Sequence, residues 1–152
     1  MASSIDLTEF ILQQKGPINS MKLQKLVYYS QAWSLAINGK SIFDEPIEAW
    51  KNGPVVRNLL EKTRNDYNIS SVTSGDPNLI DEDVEDTVTA VIIYYGQKSV
   101  EWLQKLVHSE EPWLEARRNA TKYKRLFSDI SYNVIISQTK MRDYYSRMHD
   151  IC

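Results

Sequence analysis

One segment limits the possible folds more than any other: MKLQKLVYYSQAWSLAING, residues 21–39. Leu23, Leu26, Val27, Trp33 and Ile37 recur at helical spacing, and Tyr29, Ala32 and Ala36 extend the apolar surface around the side. A helix apolar over most of its circumference belongs at the centre of a core. Asn19 or Ser20 can open it, and Asn38-Gly39 offers a left-handed C-terminal cap. The rest of the chain must wrap around this helix.

At 152 residues there is enough chain to do so in one domain, burying roughly 68–70% of its extended surface. Hydrophobic residues make up 42% and charged residues 25%, the composition of a globular chain rather than a disordered one. A net charge of −2 supplies no global field toward nucleic acid or anionic lipid, so such binding would need a local patch. The single Cys152 excludes an intrachain disulfide and suits a reducing compartment. MASSIDLTEFILQQ lacks a basic residue before its apolar positions, and TAVIIYY is far too short to span a bilayer. The expectation is a soluble cytoplasmic protein with no membrane partner.

Around the central helix the pattern is mostly helical. Ser4 or Asp6 can cap a first helix that stops at Gly16-Pro17. KSIFDEPIEAW reads as extended chain or a small hairpin, and Pro54 suits the first turn of a helix through VVRNLLEKTRN. Residues 68–80 are polar and turn-rich, the expected mobile loop. DEDVEDTVTAVIIYYG starts with acids that oppose a helix dipole and ends at Gly96. Ser99 opens a short helix, Pro112 another, and Ser137 the last, QTKMRDYYSRM. Between them, DISYNVIIS alternates at period two and reads as extended. The fold class is mainly α, a single compact multi-helix domain with one or two short β segments.

Candidates for chemistry are few. His149-x-x-Cys152 gives two ligands at a chain end, too few for a metal site. The acids Asp81, Glu82, Asp83, Glu85 and Asp86 lack the alternation, mid-loop glycine and closing glutamate of a calcium loop. Glycines 16, 39, 53, 75 and 96 lie too far apart for a phosphate loop. His108 has acids beside it but no nucleophile and no second histidine, so a hydrogen-bonding role closing its helix is preferred. No catalytic residue, cofactor site or metal site is assigned, and the expectation is that the protein is not an enzyme.

EARRNATKYKRLF places Arg117, Arg118, Lys122, Lys124 and Arg125 around Tyr123 and Phe127. Such a mixture suits nucleic acid, an acidic protein partner or a merely solvated face, and the overall charge tells against nucleic acid. Arg117, Arg118, Lys122, Tyr123 and Arg125 are the candidate partner-binding residues. Tyrosines pair at 28/29, 94/95 and 144/145. Neighbours on a helix point about 100° apart, so each pair should supply one core ring and one rim ring.

Three blocks in order, LQKLVYYSQAW, SIFDEPIEAWKNGPVV and YYGQKSVEWLQKLVHSEEPW, together resemble the Panacea family, the SocA-like antitoxin domain found in phage-associated GepA-type proteins. Leu23, Lys25, Leu26, Tyr28 and Tyr29 carry the first block; Phe43, Ala49, Trp50, Gly53, Pro54 and Val55 the second. Tyr95, Gly96, Leu103, His108, Pro112 and Trp113 carry the third. Arg57 departs from the family's frequent proline there. The resemblance covers roughly residues 20 to 115 of what is read as one domain over 1–152, and implies a mainly helical protein that neutralises a cognate toxin by direct binding, the toxin usually encoded by an adjacent gene. A proteolytic adaptor that delivers its partner to a protease, or a nucleic-acid-binding autorepressor, is the alternative. Among the motif residues, Tyr28, Tyr29, Trp50, Gly53, Pro54, His108, Pro112 and Trp113 are read as structural, with Trp50 packing back on the Tyr28/Tyr29 helix to lock the corner.

Overall fold

A computed structural model describes residues 1–64, 66–126 and 134–151, without the side chains of 123–126 and 151. The order is α1 (Ser4–Lys15), β1 (Ile18–Asn19), α2 (Ser20–Ile37), β2 (Glu48–Trp50), β3 (Gly53–Val55) and α3 (Arg57–Thr63). Then follow β4 (Asn68–Ile69), a 3-10 turn (Pro77–Leu79), α4 (Glu82–Tyr95), α5 (Val100–Ser109), α6 (Glu111–Leu126), β5 (Val134–Ile135) and α7 (Gln138–Ile151). The mainly helical class expected from the sequence is what the chain adopts. Short antiparallel strands make two small sheets, β1 with β4 and the order β3-β2-β5.

The central helix is α2. It touches α1, α3, α4, α5 and α7 as well as β1 and β3, and Leu23, Leu26, Val27, Tyr28, Tyr29 and Ala32 are all at most 1% exposed. Such enclosure overturns the rule of one core and one rim ring for the first tyrosine pair: both Tyr28 and Tyr29 are buried. Tyr94/Tyr95 and Tyr144/Tyr145 follow the rule, with Tyr95 and Tyr145 inside. Two glutamines on α2 act on extended chain as a neighbouring strand would. Gln31 donates to the Phe43 carbonyl and accepts from Ile42 N–H, while Gln24 does the same for the carbonyl and N–H of Val56. These bonds satisfy buried backbone groups that belong to no sheet.

Local signals place most helix ends. Asn19 caps α2 through Met21 and Lys22 N–H, and Ser99 caps α5 through Trp102 N–H. The cap of α1 is Ser3 rather than Ser4 or Asp6: Ser3 and Asp6 form a reciprocal capping box. A second correction concerns Pro54. It lies in β3 opposite Ala49, and α3 begins only at Arg57 after Val56. β3 is the edge of its sheet, where a residue without an N–H is tolerated.

The stretch 68–80, expected to be mobile, is fastened to α1. Glu9 accepts from Val72 N–H and the Ser71 hydroxyl, and Asp6 accepts from Asp76 N–H. Burial alone would raise the Asp6 pKa, but the donors from Ser3 and Asp76 prevail and hold it below the usual value. Its stabilisation is therefore present at neutral pH and lost as pH falls through that lowered value. Gly75 allows the close approach, since a Cβ there would stand 2.7 Å from the Ile5 carbonyl oxygen and 2.8 Å from Glu9 Cβ. We expect Gly75→Ala to cost about 1–3 kcal/mol through this overpacking. Hydrogen exchange should quicken first at residues 68–80, whereas a thermal midpoint and exchange pattern matching the parent would show that the loop does not depend on this contact.

Candidate binding site

The motif residues divide between a buried network and an exposed corner. In the network, Glu110 sits between α5 and α6 at 1% exposure. Its Oε1 accepts from the hydroxyl of Tyr29 at 2.7 Å and that of Tyr145 at 2.8 Å. Tyr145 also shares a hydrogen bond with Tyr28, 3.1 Å between oxygens. Tyr29 stacks on Tyr95 at 4.1 Å, and the Trp33 indole N–H donates to the Tyr95 hydroxyl at 2.9 Å. Burial lifts the Glu110 carboxyl above its ordinary range, partly opposed by the two tyrosine donors. Removal from water likewise raises all four tyrosines, Tyr28, Tyr29, Tyr95 and Tyr145. The network ties α2, α4 and α7 to the α5–α6 junction. Sequence reading found its tyrosines and missed Glu110.

The corner is the β2–β3 hairpin, which turns at Lys51-Asn52. Gly53 follows the turn at φ 136°, a conformation that L side chains rarely adopt. Two side chains of α6 hold the hairpin from one side. Trp113 donates its indole N–H to the Trp50 carbonyl at 3.0 Å, and Arg117 Nη1 donates to the Ala49 carbonyl at 2.8 Å. His108, in the last turn of α5, stacks on Trp113 at 4.3 Å, and its Nε2 is buried without a hydrogen-bond partner among the described residues. Its pKa is lowered, first by burial and further by the charges of Lys25 and Arg117. His108 thus reaches the hairpin through Trp113, while Pro112 is buried in the first turn of α6.

Trp50 lines a cleft together with Met21, Gln24 and Lys25 of the Tyr28/Tyr29 helix. Its indole is half-buried on the hairpin, donating to Glu48 at 3.0 Å, with the Arg57 guanidinium 5.6 Å from the ring centroid. Arg57 pairs with Glu48 at 2.7 Å, so its departure from the family pattern places a cation over that tryptophan. From α2, Lys25 lies against the hairpin at Gly53.

Of the five basic and aromatic candidates, Arg117, Arg118 and Lys122 line one open cleft on α6. Arg117 is engaged with the hairpin, Arg118 pairs with Glu111, and Lys122 is exposed. The side chains of Tyr123 and Arg125 lie outside the described residues, as do Phe127 and Cys152. Elsewhere the apolar surface includes Ile37, Ile93 and Tyr94, each more than half exposed. Among the described residues no group of three or more His, Cys, Asp or Glu could hold a metal ion, and no helix is long and apolar enough to cross a membrane.

Comparison with known proteins gives a family. Residues 23–114 match the family model described as antitoxin SocA-like, Panacea domain. No curated protein and no solved structure matches the chain. The matched span runs from α2 to the first turn of α6, which includes the hairpin and every motif residue named above.

Proposed function

The chain belongs to the SocA-like Panacea antitoxin family, and from that premise we propose that it neutralises a cognate toxin by direct protein–protein binding, with no reaction of its own. The family match carries this reading. The geometry supports it, because most motif residues hold a helical body together and leave a hairpin corner exposed on it. A preorganised body of this kind loses little freedom on association, which favours tight binding. The contact face we assign is the hairpin with the adjoining side of α6, including Arg118 and Lys122, beside Arg117 where it anchors the two; Tyr123 and Arg125 belong to the proposed set by sequence alone. A few anchored aromatic or arginine contacts there, each worth about 2 kcal/mol or more, would dominate the affinity.

The test is co-expression with the product of the adjacent gene. Rescued growth together with a stable co-purified complex is the expected result. Growth inhibition that persists, with no complex for either neighbouring gene, would overturn the proposal. A complex without rescue would overturn neutralisation and leave binding alone.

A further inference from the structure

Beside the hairpin, α2 and α3 enclose a cleft of about 300 Å³, lined among others by Gln24, Lys25, Lys51, Gly53, Thr63 and Arg64. Three cations stand in this lining and no carboxylate does. Lys25 is only 3% exposed, yet its ammonium has no hydrogen-bond or ion-pair partner among the described residues. The nitrogen lies against Gly53, 3.5 Å from where a Cβ would stand, so the glycine leaves room for it. Burial lowers the Lys25 pKa, as expected of an ammonium recessed in a cleft and given no anion in exchange. A recessed charge without a counter-ion is a cost to the fold. The acids of the chain gather elsewhere, as at 81–86 on the first turn of α4.

We propose that this cleft receives an aspartate or glutamate side chain of the protein partner, whose carboxylate pairs with Lys25 and is flanked by Lys51 and Arg64. The identity of the partner as the toxin rests on the reading above; the carboxylate specificity of the cleft does not. A single recessed ammonium suits one carboxylate on a flexible stem better than a run of backbone phosphates. Nucleic acid affinity comes from neutralising many phosphates at once, and a chain of net charge −2 offers no such array.

Two measurements decide it. In the first, the amide spectrum of the chain is titrated with N-acetyl-glutamate amide, its glutamine counterpart and inorganic phosphate. Saturable shifts at Lys25, Asn52 and Gly53 are expected with the glutamate probe, and none with the glutamine probe. They should vanish in Lys25→Met, which keeps the apolar stem. Equal shifts in Lys25→Met, or no shifts at all, would overturn the site. Tighter saturation by phosphate, extended by a single-stranded oligonucleotide, would overturn the protein partner in favour of nucleic acid.

The second measurement separates binding from folding. Lys25→Met should raise the thermal midpoint by roughly 2–4 °C, while weakening the complex with the co-expressed partner by about 30-fold or more. A fall of several degrees would mean that Lys25 serves the fold, and undiminished complex formation would also overturn the proposal. Should no toxin partner exist, the glutamate titration still decides the chemistry of the cleft.

Discussion

Glu110→Ala should be among the most damaging single substitutions in this protein, costing about 3–5 kcal/mol. It strands the buried hydroxyl of Tyr29 and leaves that of Tyr145 with Tyr28 alone, a buried group left unpaired being worth about 1–3 kcal/mol, and opens a cavity between α5 and α6. For a chain of this size the thermal midpoint should fall by roughly 10 °C or more. Glu110→Gln is expected to behave differently, because it keeps an acceptor and nearly the same volume while removing the buried charge. At pH 7 it should lie within about 1–2 kcal/mol of the parent.

The comparison has a pH signature whose sign follows from the raised Glu110 pKa. Below the ordinary value of 4.5 the carboxyl is neutral in both folded and unfolded chains. As pH rises, the unfolded chain ionises first, so the contribution of Glu110 to stability declines until the folded carboxyl has ionised too. Stability of Glu110→Gln relative to the parent should therefore improve from pH 4 upward through that raised value. Denaturant unfolding across this range reads the difference. A Gln variant that instead loses ground as pH rises would show that the folded protein favours the carboxylate, contrary to the desolvation argument.

Tyr145→Ala is the second large effect. Tyr145 is fully buried, donates to Glu110, and lies 5.4 Å from the Trp33 ring and 6.1–6.3 Å from those of Tyr29 and Tyr28. Removing a buried aromatic ring costs about 3–5 kcal/mol, and here a carboxylate also loses a donor. Because α7 docks chiefly on α2, the loss should be regional. Amides of 138–151 are expected to exchange first, with those of α2 and α4 retaining protection. Uniform loss of protection would mean that α7 is integral to one cooperative unit. Tyr145→Phe, which keeps the ring, should cost only about 1–3 kcal/mol.

What was legible in the sequence, and what was not, follows from the range of the forces involved. Helix ends at Asn19, Ser99 and Gly96 obey local capping chemistry, and α2 announced its central place by its all-round apolar surface. Its enclosure went further than a helical wheel conveys, since neighbours on every side left no rim for Tyr28. Pro54 misled because proline suits a helix start and an edge strand equally; only the pairing of residues 48–50 with 53–55 decides between them. Residues 68–80 carry a loop composition, and nothing local reveals that Asp6 and Glu9, 70 and 63 residues before their partners, bind their backbone. Of the adjacent Glu110 and Glu111, one is buried and one exposed, a choice made by the angle at which α6 leaves α5. Lys25 was visible as a motif residue, but its isolation from any anion is a property of the folded corner alone.

Central to this reading is direct binding of a toxin through a preorganised body, and the complex itself tests it most directly. The chain and the adjacent gene's product, purified separately, should form a complex in isothermal titration at nanomolar affinity, about −12 kcal/mol, with the toxin's activity lost in proportion to the complex formed. Heat changes no larger than dilution, with toxin activity untouched by excess of this chain, would contradict it.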